Sequence, residues 1–208
     1  MEDVLELYHQ PYDPARPVIC MDETNKQLVG ETRTPVPAGR GRPRRIDYEY
    51  ERRGTADVFL FTEPLGNWRC VEITETRTRI DWAKQIKDLV DIYYPEATQI
   101  RLVMDNLNTH SIGSLYEAFA PEEARRIAQK LEIHHTPKHG SWLNVAEIEL
   151  RVLTVQCLSR RIGDAVALRR EVAAWEKARN ESDAHIDWQF MTADARIHLR
   201  QLYPRIEA

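Results

Sequence analysis

The sequence predicts an α/β fold built on a mixed β-sheet. Short apolar runs typical of buried strands alternate along the chain with longer segments whose apolar residues recur at helical spacing. Two of the runs are separated by a turn sequence, which predicts an antiparallel hairpin. The resulting order is strand, hairpin, helix, strand, helix, strand, helix. This order favours a mixed five-stranded sheet flanked by helices, followed by a helical C-terminal part.

The first part of the chain contributes three predicted strands. Residues 1–16 are expected to form a connecting (linker) segment, because prolines interrupt this region. Residues 18–21 predict a short buried strand that ends before Asp22. Residues 24–55 are polar and rich in turn residues, which predicts a long loop or an irregular hairpin. Residues 57–62 and 68–74 predict the antiparallel hairpin.

The middle of the chain predicts helices and two further strands. Thr78 is an expected N-cap of a helix that Pro95 ends, and residues 99–104 predict a strand that stops before Asp105. A short helix is expected around residues 112–119. Pro121 is expected at the first turn of another helix, and residues 132–136 predict the last strand.

Three helices are expected in the last third. The first has an apolar stripe of Ile148, Val152, Val155 and Leu158, and the second begins at Asp164 with a stripe of Leu168, Val172 and Trp175. Residues 192–202 predict a final short helix.

Composition excludes several classes of protein. The 208 residues are 42% apolar and 30% charged, as in a soluble globular protein. No apolar stretch approaches the length of a membrane span, and the N-terminus lacks the pattern of a signal peptide. Three cysteines without CxxC spacing are expected to be reduced and buried, in a cytoplasmic protein.

Charge is unevenly distributed along the chain. The net charge is −4, yet residues 26–54 carry eight Lys or Arg against four Asp or Glu. Such a basic segment can bind a polyphosphate by releasing counterions, although a solvated basic loop is the alternative. The motif of residues 39–45 resembles an AT-hook, or it is a loop that touches phosphates without reading sequence. Its candidate DNA-binding residues are Arg40, Arg42, Arg44 and Arg45.

Three acidic residues are expected at the ends of well-formed elements. Asp22 and Asp105 follow predicted strands, where the working groups of open α/β sheets lie, and Glu147 opens a helix. Carboxylates suit Mg²⁺ or Mn²⁺, and two such ions can promote in-line phosphoryl transfer. Each residue also has a structural interpretation: an Asp after a strand often forms a turn, and Asn144 with Glu147 fits a capping box.

Three motifs together resemble a known family. Residues 20–23 (CMDE), 104–110 (MDNLNTH) and 136–149 (TPKHGSWLNVAEIE) resemble a bacterial insertion-sequence transposase, of the insertion-sequence-630-like branch of the Tc/mariner superfamily. The resemblance runs from about residue 15 to the end of the chain. It implies that residues 17–208 are a DDE catalytic domain with a ribonuclease-H-like fold.

The resemblance also implies a function and its residues. Asp22, Asp105 and Glu147 would be the catalytic triad and the ligands of two Mg²⁺ or Mn²⁺ ions, with Glu149 as the rival for the third acid. The implied reaction is phosphodiester hydrolysis at transposon ends followed by strand transfer to target DNA, in a possible homodimer and without a membrane partner. Two features depart from the family: 41 residues (106–146) separate the second and third acids, and the N-terminal helix-turn-helix region is expected to be absent.

Further residues near the motifs have weaker assignments. Lys138 and His139 are expected to contact DNA phosphates, and Trp142 is expected in the core rather than stacked on a base. Asn106, His110 and Asn144 are expected auxiliary residues of the site, or else turn and capping residues.

Two other functions remain open. A catalytically silent, DNA-binding remnant of a transposase is the main alternative. A metal-dependent nuclease that cuts RNA–DNA hybrids or branched DNA is a third, and substrate preference would separate it from a transposase.

Overall fold

A mixed five-stranded sheet forms the centre of the protein, as predicted. The computed structural model describes residues 1–138 and 140–203. The strands are β1 (Val18–Glu31), β2 (Tyr50–Glu63), β3 (Trp68–Thr74), β4 (Ile100–Met104) and β5 (Leu131–His135). Their spatial order is β3-β2-β1-β4-β5. The pairs β1–β2 and β2–β3 are antiparallel, whereas β1–β4 and β4–β5 are parallel.

Helices cover both faces of the sheet. They are α1 (Glu2–Tyr8), α2 (Arg79–Asp88), α3 (Ile112–Ala118), α4 (Pro121–Gln129), α5 (Val145–Leu153), α6 (Ala165–Glu181) and α7 (Thr192–His198). One apolar core, the α5-side core, joins α1, α5, α6 and α7 to one face of the sheet. The other, the α2-side core, joins α2, α3 and α4 to the opposite face. Alternation along β1 divides its side chains between them: Cys20 lies in the α5-side core, and Ile19 and Met21 lie in the α2-side core.

The N-terminal segment differs from the expectation of a connecting segment. Its first half is helix α1, which buries Val4, Leu5, Leu7 and Tyr8 in the α5-side core. Tyr8 also donates a hydrogen bond to the carbonyl of Leu143 at 2.8 Å. The prolines that predict a linker lie after this helix, so they end it instead of preventing it.

Strand β1 continues well beyond the predicted end. It pairs with β2 as far as Glu31, so Asp22 lies within a strand and not after one. Residues 24–55 are therefore an irregular hairpin, which we call the arm, and the alternative of a long loop is wrong. Two isolated bridges, Val36–Arg45 and Gly39–Arg42, continue the hairpin towards its tip. A positive φ of 72° at Gly41 permits the tight turn there.

The buried face of α5 also differs from the predicted stripe. Ile148 and Val155 are exposed (40% and 58%), whereas Glu149, Leu150 and Leu153 are buried. The predicted stripe is confirmed in part, since Leu158 is buried and Val152 packs against the α5-side core, but the charged Glu149 occupies a core position that an apolar pattern does not predict. A single π-helical turn over residues 154–158 follows α5. Because a π turn contains more residues than an α-helical turn, it changes the direction in which the side chains of these residues point.

Other predictions are confirmed. Strand β3 has the predicted bounds, Thr78 caps α2 in a capping box with Asp81, and the side chain of Asp164 caps α6. The stripe of α6 is buried as predicted. All three cysteines are buried and free. Across residues 1–138 and 140–203, no helix has the length and apolar character that crossing a membrane requires.

Candidate active site

Asp22 lies beside the end of β4. The parallel register pairs Cys20 with Val103, and its continuation by two residues places Asp22 next to Asp105. Neighbouring strands are roughly 4.8 Å apart. Alternation along β1 directs the side chain of Asp22 towards the α5 side of the sheet, like that of Cys20, and directs Glu23 towards the α2 side.

Asp105 follows β4 directly, as predicted. Its Oδ1 lies 2.6 Å from Nδ1 of His110, which donates a hydrogen bond to it. Its backbone carbonyl lies 3.2 Å from Nδ1 of His135. The predicted auxiliary residue His110 therefore contacts one of the three acids. Asn106, the next residue along the chain, is exposed.

Asn144 fastens the start of α5 to β1. Its Nδ2 donates to the backbone carbonyl of Met21 at 2.8 Å, and its Oδ1 accepts from the backbone N–H of Ala146 at 3.2 Å. The side chain is only 1% exposed. Because Met21 precedes Asp22, this one residue fixes the first turn of α5 against the strand that carries the first acid.

Glu147 lies in that first turn and is half-buried. The predicted capping box is not formed, because the Asn144 N–H donates to the carbonyl of Ser141 at 2.7 Å. Within residues 1–138 and 140–203, the Glu147 carboxylate forms no hydrogen bond or ion pair. Its position in the first turn therefore has no capping function that would explain it.

Glu149, the rival third acid, lies in a different environment. It is fully buried, with Arg69 Nη2 at 3.0 Å and Arg179 Nη2 at 2.9 Å from its Oε1. Two arginines thus satisfy this carboxylate inside the protein. Its geometry is that of a structural ion pair, in contrast to that of Glu147.

Electrostatics link the three predicted acids. Burial, the largest cause, acts together with the negative charges of Asp105, Glu147 and Glu23 to raise the pKa of Asp22 to about 7, against the opposing hydrogen bond from the Glu23 N–H. The negative charges of Asp105 and Glu147, from two distant segments, therefore both act on Asp22. A divalent cation would relieve this repulsion, and an all-oxygen donor set fits Mg²⁺ or Mn²⁺.

The acids do not form a ready-made ligand cluster. Among the residues that the structure describes, no three His, Cys, Asp or Glu side chains are close enough to hold a metal ion as they stand. Binding an ion here requires the side chains to rotate towards one another. Weak affinity in the absence of a substrate is the physical consequence.

The raised pKa of Asp22 predicts how the stability of the folded protein depends on pH. A folded-state pKa of about 7, against 3.8 for the free side chain, means that stability falls as pH rises through about 7. In metal-free buffer we therefore expect Asp22→Asn to raise the melting temperature at pH 8 by roughly 2–4 °C, the equivalent of about 1 kcal/mol. At pH 5 the two proteins should differ much less.

Thermal melts of Asp22→Asn and the wild type at both pH values, with and without Mn²⁺, check this expectation. Addition of Mn²⁺ should narrow the gap at pH 8, because only the wild type gains a cation at this position. A variant that is less stable than the wild type at pH 8 would contradict the proposed crowding of charge.

His110 lies between two carboxylates. Its Nε2 is 3.0 Å from Oε2 of Glu23, on the side opposite to Asp105. Burial by itself would lower the pKa of His110, but the hydrogen bond to Asp105 and the close carboxylate of Glu23 outweigh burial and raise the pKa to about 9. Sequence reasoning assigned no role to Glu23, and its position directly after Asp22 was the only available signal.

A surface cleft of about 470 Å³ adjoins Asp105. Its walls include Asn106, Lys138 and Ser141. Lys138 is exposed and can reach a bound phosphate. His139, the other residue predicted to contact DNA here, lies outside the described residues.

Trp142 differs from the expectation of a core residue. Its ring stacks on Trp188 at 6.4 Å between centroids and meets the edge of Phe190, yet the residue is 38% exposed. Part of the indole is therefore available to solvent.

The four arginines predicted to bind DNA lie far from the acids. Arg40, Arg42, Arg44 and Arg45 are all exposed near the tip of the arm. Strand β1 rises about 3.3 Å per residue, so Glu31 at its end lies roughly 30 Å from Asp22, and the tip lies beyond it. An ion pair between Arg161 and Glu31 and a hydrogen bond from the Val29 N–H to the Ile162 carbonyl (2.8 Å) attach the base of the arm to the segment before α6.

Comparison with known proteins gives a family and a fold. The model of the DDE superfamily endonuclease family matches residues 17–169. The crystal structure of the Mos1 mariner paired end complex with Mn is similar, with a TM-score of 0.57 at 14% identity over 85% of this chain and 52% of that chain. The Mos1 strand transfer complex gives a TM-score of 0.58 at 12% identity, over 85% of this chain and 52% of that chain. No curated protein matches the chain.

These similarities establish a ribonuclease-H-like arrangement of a mixed sheet flanked by helices. The chain spans about half of the length of the Mos1 chains it matches. At this level of identity the likeness concerns the fold alone.

Proposed function

The chain belongs to the DDE superfamily endonucleases, and from this premise we propose that it is the catalytic domain of a DNA transposase. The proposed activity is metal-dependent phosphodiester hydrolysis at transposon ends, followed by strand transfer. The motifs around Asp22, Asp105 and Glu147 support a finer placement in the bacterial insertion-sequence-630-like branch. The proposal rests above all on one observation: the β1–β4 register and the bond from Asn144 to the Met21 carbonyl bring the end of β4 and the start of α5 to the part of β1 that carries Asp22.

Asp22, Asp105 and Glu147 would hold the divalent ions. Two bound Mg²⁺ or Mn²⁺ ions would supply activation of the attacking hydroxyl and stabilisation of the leaving oxygen. The fold holds these acids and their neighbours in position. Asn144 holds the first turn of α5 against β1, and the two arginines around Glu149 keep the second acidic side chain of α5 inside the core.

DNA is the proposed partner, and its phosphates are the proposed contacts. Lys138 lines the cleft beside Asp105, so it can bind a phosphate near the acids. The arginines of the arm can bind the same duplex more than roughly 30 Å away, which is more than about nine base pairs at roughly 3.4 Å per step. Cutting of two transposon ends in one complex would be served by a homodimer, which is part of this proposal.

The test of the proposed function is nicking of plasmid DNA by the full chain. Supercoiled plasmid is incubated with the protein in Mg²⁺, in Mn²⁺ and in EDTA, and a labelled duplex is added to detect strand transfer. We expect nicked and joined products with either metal and none in EDTA. Absence of products with folded protein would instead favour the catalytically silent, DNA-binding alternative. Preferred cutting of an RNA–DNA hybrid would favour a metal-dependent nuclease that acts on such hybrids.

The role of the arm can be tested by DNA affinity. The slope of log affinity against log salt is negative. The double change Arg40→Ala with Arg42→Ala should reduce its magnitude by about 2, because each phosphate contact contributes roughly 0.9. A matched control, Lys84→Ala with Lys177→Ala, removes the same charge from exposed positions on α2 and α6. Fluorescence anisotropy at several salt concentrations measures both. Equal slopes for the two double variants would mean that the arm does not contact DNA.

A further inference from the structure

His110 is a buried histidine held from both sides by acids. Only 1% of its side chain is exposed, and only 2% of the Glu23 side chain. Nδ1 of the ring lies 2.6 Å from Oδ1 of Asp105, and Nε2 lies 3.0 Å from Oε2 of Glu23. Neither ring nitrogen is free to face the cleft, so this histidine is not placed to touch a substrate.

The segment that carries His110 is itself firmly held. The His110 N–H donates to the carbonyl of Leu107 at 2.9 Å, which closes a turn directly after Asp105. Ser114 Oγ donates to the carbonyl of Thr109 at 2.7 Å, which anchors the turn to α3. The ring of Trp82 lies against the imidazole at 6.0 Å between centroids. The ring therefore has one orientation, fixed independently of any ligand.

Glu23 brings the first strand into the same arrangement. It follows Asp22 on β1, and alternation places the two side chains on opposite faces of the sheet. A chain of contacts thus runs from Glu23 through His110 to Asp105 on the α2 side, while Glu147 lies on the α5 side. These contacts link the strand that carries Asp22 to the carboxylate of Asp105 through Glu23 and His110.

We infer that Glu23 and His110 are positioning residues that hold one carboxylate oxygen of Asp105 and leave the other for a divalent cation. This inference rests on the proposed function, in which Asp105 is a metal ligand. The carboxylate of Glu23 lies against Nε2 of the imidazole as an ion-pair partner, and the imidazole holds Oδ1 of Asp105 through the Nδ1–H bond. Hydrogen-bonded partners of metal ligands in other proteins typically contribute roughly 10–100-fold in metal affinity.

The chain offers a matched control for this arrangement. His134 on β5 also lies between two carboxylates, with Nδ1 at 2.7 Å from Asp3 and Nε2 at 3.4 Å from Glu132. It contacts none of the three predicted acids. Replacement of His134 therefore removes a histidine from a similar acidic environment without touching Asp105.

The test compares the His110→Gln, Glu23→Gln and His134→Gln variants with the wild type of the full chain. Calorimetric titration with Mn²⁺ in the absence of DNA measures affinity without any catalytic turnover, and melts in EDTA report folding. We expect His110→Gln to weaken Mn²⁺ binding by about 10–100-fold, Glu23→Gln to weaken it less, and His134→Gln to leave it within about twofold of the wild type. In nicking assays, the first two variants should need correspondingly more Mn²⁺ for half-maximal rate.

A second measurement on the wild type does not depend on any variant folding. Nitrogen-15 NMR of the histidine rings should show the Nδ1 proton of His110 before and after Mg²⁺ is added, because the bond to Asp105 persists. Loss of that proton on metal addition would make His110 a ligand and overturn the positioning role. Unchanged Mn²⁺ affinity in both His110→Gln and Glu23→Gln would overturn it as well.

Failure of the proposed function has a different signature. If Asp105→Ala binds Mn²⁺ as the wild type does, or if the wild type binds none, the metal site itself is wrong and the positioning role is overturned with it. If Asp105→Ala loses the metal while His110→Gln and Glu23→Gln keep it, the metal site remains and only the positioning role is overturned.

Discussion

Replacement of Glu147 by Gln should abolish metal-dependent nicking and leave the protein folded. The amide keeps the shape of the side chain but offers no negative charge to a cation, so we expect the rate to fall by roughly 10³-fold or more, equivalent to about 4 kcal/mol of transition-state stabilisation. Stability should change little, because Glu147 forms no ion pair or hydrogen bond among the described residues and is half-buried. Plasmid nicking in Mn²⁺, beside thermal melts in EDTA, measures both quantities.

Asp105→Ala is the companion variant and should lose the same activity. Because Asp105 also accepts a hydrogen bond from buried His110, this variant should lose some stability as well, unlike Glu147→Gln. Nicking that survives Glu147→Gln would remove Glu147 from the proposed triad. Glu149 could not then replace it without leaving its two arginines unpaired in the core.

The predictions that succeeded depend on local signals. Strand β3 follows a turn with Asn67 at a φ of +54°, and its apolar alternation is visible in a short window of sequence. Helix α6 begins at a side-chain cap, Asp164, and its stripe is uninterrupted. Each signal lies within the element that it specifies, so sequence alone is sufficient.

The predictions that failed depend on distant partners. The continuation of β1 into the arm pairs polar residues such as Thr24 and Lys26 with β2, and hydrophobic periodicity does not report that pairing. The buried face of α5 contains Glu149 because Arg69, 80 positions away on β3, neutralises it. A helix that buries a charge on one face cannot be oriented from its apolar residues alone.

The candidate site shows the same difference between local signals and distant contacts. The motifs in the sequence predict Asp22, Asp105 and Glu147 as the acids of the proposed site. The sequence also predicts His110 and Asn144 as auxiliary residues, but the contacts that they make, and the position of Glu23, emerge only from the fold. Asn144 reaches the carbonyl of Met21, 123 positions earlier, and Glu23 reaches His110 across the sheet. Positioning depends on contacts between segments, and a single sequence does not display such contacts.

Replacement of Glu149 by Ala should destabilise the fold severely. The change leaves the guanidinium of Arg69, which is fully buried, without its carboxylate, and removes the partner of Arg179. Breaking a buried ion pair by removal of one partner costs roughly 3–5 kcal/mol. At about 2–4 °C per kcal/mol for a chain of this size, the melting temperature should fall by roughly 6–20 °C.

Thermal or urea unfolding of Glu149→Ala beside Glu147→Ala makes the comparison within one helix. The two residues are two positions apart, and of the two only Glu149 pairs with arginines, the buried Arg69 and the partly exposed Arg179, so Glu147→Ala should lose far less stability. Simultaneous replacement of Arg69, Glu149 and Arg179 by apolar residues of similar size should recover much of the loss, since no charge is then left unpaired. Equal losses for the two alanine variants would mean that the ion pair contributes no more than an ordinary helix surface residue. A large loss confined to Glu149→Ala would instead assign different roles to the two acids of α5. Glu149 would hold the helix in the core, and Glu147 would be available to bind a divalent cation.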